Sequence, residues 1–170
     1  MASLMEELLT NLDSEYEQYE KLIDLNDTKK DSIIYKKLDI LEDVTAKEQA
    51  IADSLLELEK KRQSIMRNIA IVMGKDGEEI TVSWMIDNLA GQPVEQEQLE
   101  NARGKLAKAA GEMQTKNVQT QNLLKQAIEM VEFDMTLLKS ARTAPETSNY
   151  GRDAFTTGSI LGRSGFDAKQ

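Results

Sequence analysis

The sequence contains no cysteine and no histidine, and only two of its 170 residues are proline. Without those side chains it cannot form a disulfide, a thiolate nucleophile or a zinc site of the usual type. The common catalytic triads and the commonest general base are excluded for the same reason. Carboxylate pairs such as Glu78/Glu79 and Glu129/Glu132 remain, but they are typical of a solvated acidic surface. We therefore expect no enzymatic activity, no cofactor and no bound metal.

Long apolar runs are also missing. No stretch approaches the roughly 20 apolar residues that cross a bilayer, and residues 1–7 lack the basic segment and apolar run of a secretory signal. The sequence therefore predicts a cytoplasmic protein without membrane insertion. Acidic residues outnumber basic ones by 30 to 21, which gives a net charge of −9. Such a surface repels phosphate backbones, so nucleic acid is not an expected partner.

What the sequence does contain is typical of long helices. Hydrophobic residues make up 40% of the chain but aromatic residues only 5%, and the polar residues are mainly long side chains that lose little freedom in a helix. We predict an all-α fold, an elongated antiparallel bundle of three long helices plus one short helix. The bundle is expected to cover residues 1–142, and residues 143–170 are expected to form a largely irregular C-terminal tail.

The first and second helices are predicted at 3–29 and about 37–73. The polar segment 26–32 should end or kink the first, and Gly74 is placed to end the second. Apolar residues of the second helix recur in alternating steps of three and four, which indicates a coiled-coil seam. The seam positions are Leu41, Val44, Glu48, Ile51, Leu55, Leu58, Arg62, Ile65, Ile69 and Val72.

The short helix is expected to follow Thr81 as its N-cap, and Trp84, the only tryptophan, should plug the core beneath it. The fourth helix should run from Pro93 to about residue 141. Its predicted seam is Leu99, Arg103, Leu106, Ala110, Met113, Asn117, Thr120, Leu124, Ala127, Val131 and Leu138. Residues 143–149 resemble a linker. The following tail has spaced apolar residues but too few to form a core, so we expect it to bind a partner.

Four polar residues interrupt the two long seams: Glu48 and Arg62 in the second helix, and Asn117 and Thr120 in the fourth. A buried polar group destabilises the fold unless it is paired, so such residues penalise misaligned packing. We interpret them as register-setting residues. The alternative is a hydrophilic notch in a groove that binds a partner.

The order and spacing of several segments resemble the FlgN family of flagellar type III export chaperones. The resemblance covers nearly the whole chain. It is carried by Lys29-Lys30 before Ile33-Ile34, by Leu41, Glu48, Leu55, Leu58, Glu59 and Arg62, by Asn117, Leu123 and Leu124, by Tyr150-Gly151-Arg152-Asp153-Ala154, and by Arg163 with Phe166–Lys169. Two positions depart from the family pattern: Thr120 replaces an Asn, and Ala154 replaces a Gly.

The resemblance implies a cytoplasmic chaperone for the hook–filament junction proteins FlgK and FlgL. It would bind their amphipathic C-terminal helices, prevent premature assembly and deliver them to the export gate FlhA, with help from the ATPase-complex protein FliJ. The family binds its substrate through the C-terminal part of the chain. Its tail motif, here Tyr150, Gly151 and Asp153, is implied to dock to the gate.

An amphipathic helix that awaits export needs an apolar surface to cover its own. We expect that surface to combine apolar residues of the fourth helix and the tail. They are Ile128, Val131, Met135, Leu138, Phe155, Ile160, Leu161 and Phe166. Two other readings remain open: a structural coiled-coil scaffold that forms homo-oligomers, and a helical signalling adaptor.

Overall fold

The computed structural model describes the backbone of residues 2–167 and the side chains of residues 3–143. Four helices account for most of this length: α1 (Ala2–Ile34), α2 (Leu38–Val72), α3 (Val82–Asn88) and α4 (Pro93–Asp167). No residue of the described backbone lies in a strand. The predicted all-α class, with three long helices and one short one, is confirmed.

The chain divides into two compact units, Met1–Leu124 and Lys125–Gln170. Within the first unit, contacts between α1 and α2 pair Arg62 with Glu15 and Glu48 with Lys29. From Glu15 to Lys29 the residue number in α1 rises by fourteen, and from Arg62 to Glu48 the number of the partner in α2 falls by fourteen. The two helices are therefore antiparallel. Along α4, Lys105 reaches Asp13 and Lys116 reaches Asp27, so α1 and α4 run in the same direction.

The apolar core of this unit lies where the start of α1, the end of α2, α3 and the start of α4 meet. Its buried members are Met5, Leu8, Leu12, Ile65, Met66, Ile69, Met85, Ile86, Leu89, Leu99, Ala102 and Leu106. Thr81 caps α3 as predicted, because its hydroxyl accepts a hydrogen bond from the Trp84 amide at 3.1 Å. Trp84 is half-buried against the core, and the Lys75 ammonium lies 5.6 Å from its ring centroid.

The α2 seam and the helix ends around it follow the prediction. Every seam position of α2 is buried or half-buried except Val72, which is 56% exposed. Gly74 adopts a φ of +72°, the left-handed conformation expected just beyond a helix end. The start of α4 at Pro93 is also confirmed, since proline favours the first turn, where its missing N–H is not needed.

The predicted seam of α4 was wrong at Arg103, Val131 and Leu138, which are exposed. Ala102 and Ala109 are buried at 8% and 3% exposure, whereas Arg103 is exposed and Ala110 is half-buried. The steps from Leu99 to Ala102, Leu106 and Ala109 alternate three and four, so this is an equally regular seam. Alanine at these positions lets helices pack closely, because interaxial distance depends on the side chains at the contact.

Two predicted boundaries were also wrong. The polar segment 26–32 does not end α1, which continues to Ile34, because Asn26 and Ser32 are buried with hydrogen-bond partners. The backbone of α4 continues to Asp167, where we expected a linker and an irregular tail. Pro145 removes one intrahelical hydrogen bond, and the glycines that follow it lower the helix propensity of the segment. Neither effect need end a helix.

The end of α1 carries a local strain that the sequence did not signal. Lys36 adopts a φ of +54°, and the Lys37 amide donates back to the Ser32 carbonyl at 2.9 Å. This backbone arrangement normally uses glycine, because a Cβ in the left-handed region costs about 1–2 kcal/mol.

Replacing Lys36 with Gly should raise the free energy of unfolding by about 1 kcal/mol, since it removes that strain while adding some unfolded-state entropy. Chemical denaturation followed by circular dichroism measures the change. Lys30→Gly is the matched control, because Lys30 is also exposed but lies within α1, where glycine is unfavourable. It should lower stability, and an equal gain from both variants would contradict the explanation.

Candidate functional site

Polar residues occupy three positions of the three–four seam along the buried face of α1. Its buried or half-buried residues recur in alternating steps of three and four: Met5, Leu8, Leu12, Glu15, Tyr19, Leu22, Asn26, Lys29 and Ile33. Glu15, Asn26 and Lys29 are therefore seam residues. Each contacts a polar residue that the sequence pattern had singled out on α2 or α4.

Glu15 lies at the centre of the first of these contacts and has two side-chain partners. Its carboxylate accepts hydrogen bonds from the Arg62 guanidinium at 2.8 Å and from the Asn11 side-chain amide at 2.9 Å. Asn11 also donates to the Leu58 carbonyl at 3.1 Å, which ties α1 to the backbone of α2. The Glu15 side chain is 5% exposed and that of Arg62 is 30% exposed. The carboxylate of the ion pair is therefore shielded from solvent, whereas the guanidinium is partly exposed.

The pKa of the Glu15 carboxyl is raised above its usual value of 4.5. Burial is the main cause, because it removes water from the ionised form, and the nearby Glu59 carboxylate acts in the same direction. The Arg62 charge and the Asn11 hydrogen bond oppose the rise. Burial therefore outweighs the partners that favour the ionised carboxylate.

Two further contacts occur farther along α1. The Lys29 ammonium lies 2.9 Å from the Glu48 carboxylate, and each of these side chains is 17% exposed. The Thr120 hydroxyl donates to the Asn26 side-chain oxygen at 2.8 Å, and both residues are buried. The departure from the family pattern at Thr120 thus leaves this contact satisfied. Asn117 is half-buried, and its side chain forms no hydrogen bond among the residues described.

Only one residue of each contact was predicted from the sequence. Glu48, Arg62 and Thr120 were singled out, but Glu15, Asn26 and Lys29 were not, because only apolar residues were used to trace the stripe of α1. The uninterrupted three–four spacing would have identified them. The register-setting role of Glu48, Arg62, Asn117 and Thr120 stays a prediction, but three of the four have polar partners on α1.

A groove lies between α2 and α4 around Arg62. It comprises two cavities of about 670 and 430 Å³, which share Arg62, Arg103 and Leu106. The larger cavity extends to residues 76–83 at the start of α3. The smaller one is lined by Leu55, Leu56 and alanines of both helices. Three side chains of α1 also line the groove: Leu12, Glu15 and Tyr19.

Residues 125–143 of α4 expose large apolar side chains. The four predicted substrate-binding residues of this segment are 51–65% exposed: Ile128, Val131, Met135 and Leu138. We call them the first stripe, since they recur at helical spacing. Three more apolar residues, which the predicted site omitted, are 52–62% exposed: Met130, Phe133 and Leu137. We call them the second stripe. Exposed apolar patches of this kind mark binding surfaces in many proteins.

The remaining predicted site residues lie on the backbone of α4 beyond residue 143, and their side chains are outside the described residues. They are Phe155, Ile160, Leu161 and Phe166 for the substrate, and Tyr150, Gly151 and Asp153 for the gate. Their roles stay predictions. Among the described residues, no three acidic side chains come together to hold a metal ion. No described helix is long and apolar enough to cross a bilayer.

Replacing Arg62 with Met should leave the Glu15 carboxylate buried without a cation. The free energy of unfolding at neutral pH should fall by about 2–3 kcal/mol, near the lower end for buried pairs because the guanidinium is 30% exposed. This loss of unfolding free energy should become smaller as the pH falls toward about 5. The raised pKa means that folded Glu15 binds a proton more tightly than Glu15 in the unfolded chain, so acid favours the folded state of the variant. Urea denaturation at both pH values measures this.

Arg67→Met is the matched control, since Arg67 is exposed and has no ion-pair partner among the described residues. It should change stability by less than about 0.5 kcal/mol. Adding Glu15→Gln to the Arg62 variant should restore part of the loss. A pH-independent loss that Glu15→Gln leaves unchanged would contradict the assigned interaction.

Comparison with known proteins gives one match. The family model of the FlgN protein matches residues 1–158, which is most of the chain. No curated protein and no solved structure matches the sequence. Because that match covers more than half of its length, the chain belongs to the FlgN family.

Proposed function

We propose that this protein is a flagellar export chaperone that binds the amphipathic C-terminal helices of the junction proteins FlgK and FlgL. It holds them in the cytoplasm, prevents their premature assembly and delivers them to the export gate. Membership of the FlgN family supports the general role of a chaperone for flagellar proteins. The named substrates come from the family resemblance.

The observation that carries the proposal is the exposed first stripe on α4. Ile128, Val131 and Met135 share one helix face and are 51–53% exposed, so an incoming helix can cover them without unfolding the chaperone. Covering apolar surface yields about 25 cal/mol per Å² before the cost of ordering the partner is subtracted. That cost is several kcal/mol for a segment that folds on binding, so we expect moderate affinity and release without ATP hydrolysis by this chain.

The other proposed roles are to support the first stripe and to deliver the bound substrate to the export gate. Residues 1–142 are proposed to form an antiparallel bundle of three long helices, whose register Glu48 and Arg62 help to fix. Residues 143–170 are proposed to contribute further apolar contacts to the substrate. Tyr150, Gly151 and Asp153 are proposed to dock to FlhA, with FliJ assisting, because the family's tail motif has that role.

The structural-scaffold alternative has weaker support. A scaffold should bury its apolar stripes in constitutive self-association, whereas a chaperone keeps one stripe available for cargo. Light scattering across a concentration series separates the two. A stable oligomer that does not dissociate when substrate is added would favour the scaffold.

Calorimetric titration with the C-terminal peptide of FlgK or FlgL from the same genome should show binding by the full-length protein and a gain in helicity. Val131→Asp should weaken binding at least tenfold, because it places a charge within the buried contact. Thr136→Asp is the matched control: Thr136 is exposed on the same segment but lies on its polar side. Neither heat nor a gain in helicity with the wild-type protein in excess would contradict the chaperone proposal.

A further inference from the structure

The exposed apolar residues of α4 occupy two faces of the helix. At about 100° per residue, the centres of the first and second stripes are about 150° apart around the helix axis. Phe133 and Met130 are each 62% exposed, more than three of the four members of the first stripe. The second stripe is thus as available as the first, and the same contact cannot account for both.

The remaining positions show how a partner could reach both stripes. One edge of the segment is polar: it holds Lys125, Glu129, Glu132, Thr136 and Lys139. The opposite edge is narrow and holds Ala127, Asp134 and Ala141. Two of these three side chains are small. A single docked helix meets an apolar face about 100° wide. Covering both stripes therefore takes two helices, which can approach each other over the alanine edge but not over the polar edge.

We propose that residues 125–141 bind between two helices of the export substrate, one on each stripe. This inference rests on the proposed function and specifies the kind of partner that fits. The substrate presents two amphipathic helices together, such as the arms of a helical hairpin, rather than one isolated helix. It also carries a lysine or arginine opposite Asp134, the only charged residue on the edge over which the two helices meet.

Charge argues against a second copy of this chain as the occupant. Parallel pairing of two copies through the second stripe sets Asp134 of one copy against Glu129 of the other, because opposite flanks of the stripe meet, five residues apart. Antiparallel pairing centred on Phe133 sets the two Asp134 side chains beside each other, because the same flank meets itself. Like charges directly opposed across a helix contact are destabilising. A substrate with a cation at that position avoids this repulsion.

The test is calorimetric titration of full-length variants with the intact junction protein FlgK or FlgL. Phe133→Ser probes the second stripe, Val131→Ser the first, and Glu129→Ser on the polar edge is the control with a comparable loss of helix propensity. Equal far-UV circular dichroism establishes that the variants are equally folded. We expect both stripe variants to bind at least tenfold more weakly and the control to bind within about twofold of wild type.

The outcomes separate the two proposals. If Val131→Ser weakens binding but Phe133→Ser and Leu137→Ser do not, one helix suffices and the two-helix inference is overturned, while the chaperone function stands. If light scattering shows a dimer that Phe133→Ser dissociates without changing substrate affinity, a second copy covers the second stripe and the inference also fails. Absence of any binding by the wild-type protein overturns the proposed function itself.

Discussion

The structure of the first unit depends on how the three polar residues in the seam of α1 are paired. Glu15, Asn26 and Lys29 recur within an otherwise apolar seam, and each has a partner on α2 or α4. A shift of one helical turn would leave a carboxylate, an amide and an ammonium without those partners. Each unpaired buried polar group costs on the order of 1–3 kcal/mol, and a charged one costs more. Apolar side chains alone discriminate less sharply between neighbouring registers, because leucine and isoleucine pack acceptably one turn away.

This constraint also explains where apolar surface is used and where it remains. The apolar residues of α1 and α2 are largely buried in the contacts that hold the first unit together, and the main core lies near α3. Within the described side chains, the largest run of exposed apolar residues lies in residues 128–138 of α4. A chaperone needs both properties. One part of the chain must keep its fold without cargo, and another must keep apolar surface that cargo can cover.

The sequence predicted what strong local signals determine and missed what depends on tertiary partners. The spacing of α2, the glycine beyond its end, the Thr81 cap and Pro93 each have a direct local cause, and all were confirmed. The end of α1 was missed because Lys36 takes a conformation that usually requires glycine. In α4, Leu99 and Leu106 fit two seams equally well, and only tertiary packing decides that Ala102 and Ala109 are buried. Met130, Phe133 and Leu137 were omitted because a search for one apolar face ignores a second.

We propose that the α1 seam is closed in the free protein and that residues 125–141 of α4 are the surface that cargo covers. Amide hydrogen exchange with and without the proposed cargo, FlgK or FlgL, tests this most directly. We expect residues 5–33 to be strongly protected in both states and cargo to slow exchange mainly in residues 125–141. Cargo-dependent protection confined to α1, or exchange in residues 125–141 that cargo leaves unchanged, would contradict it.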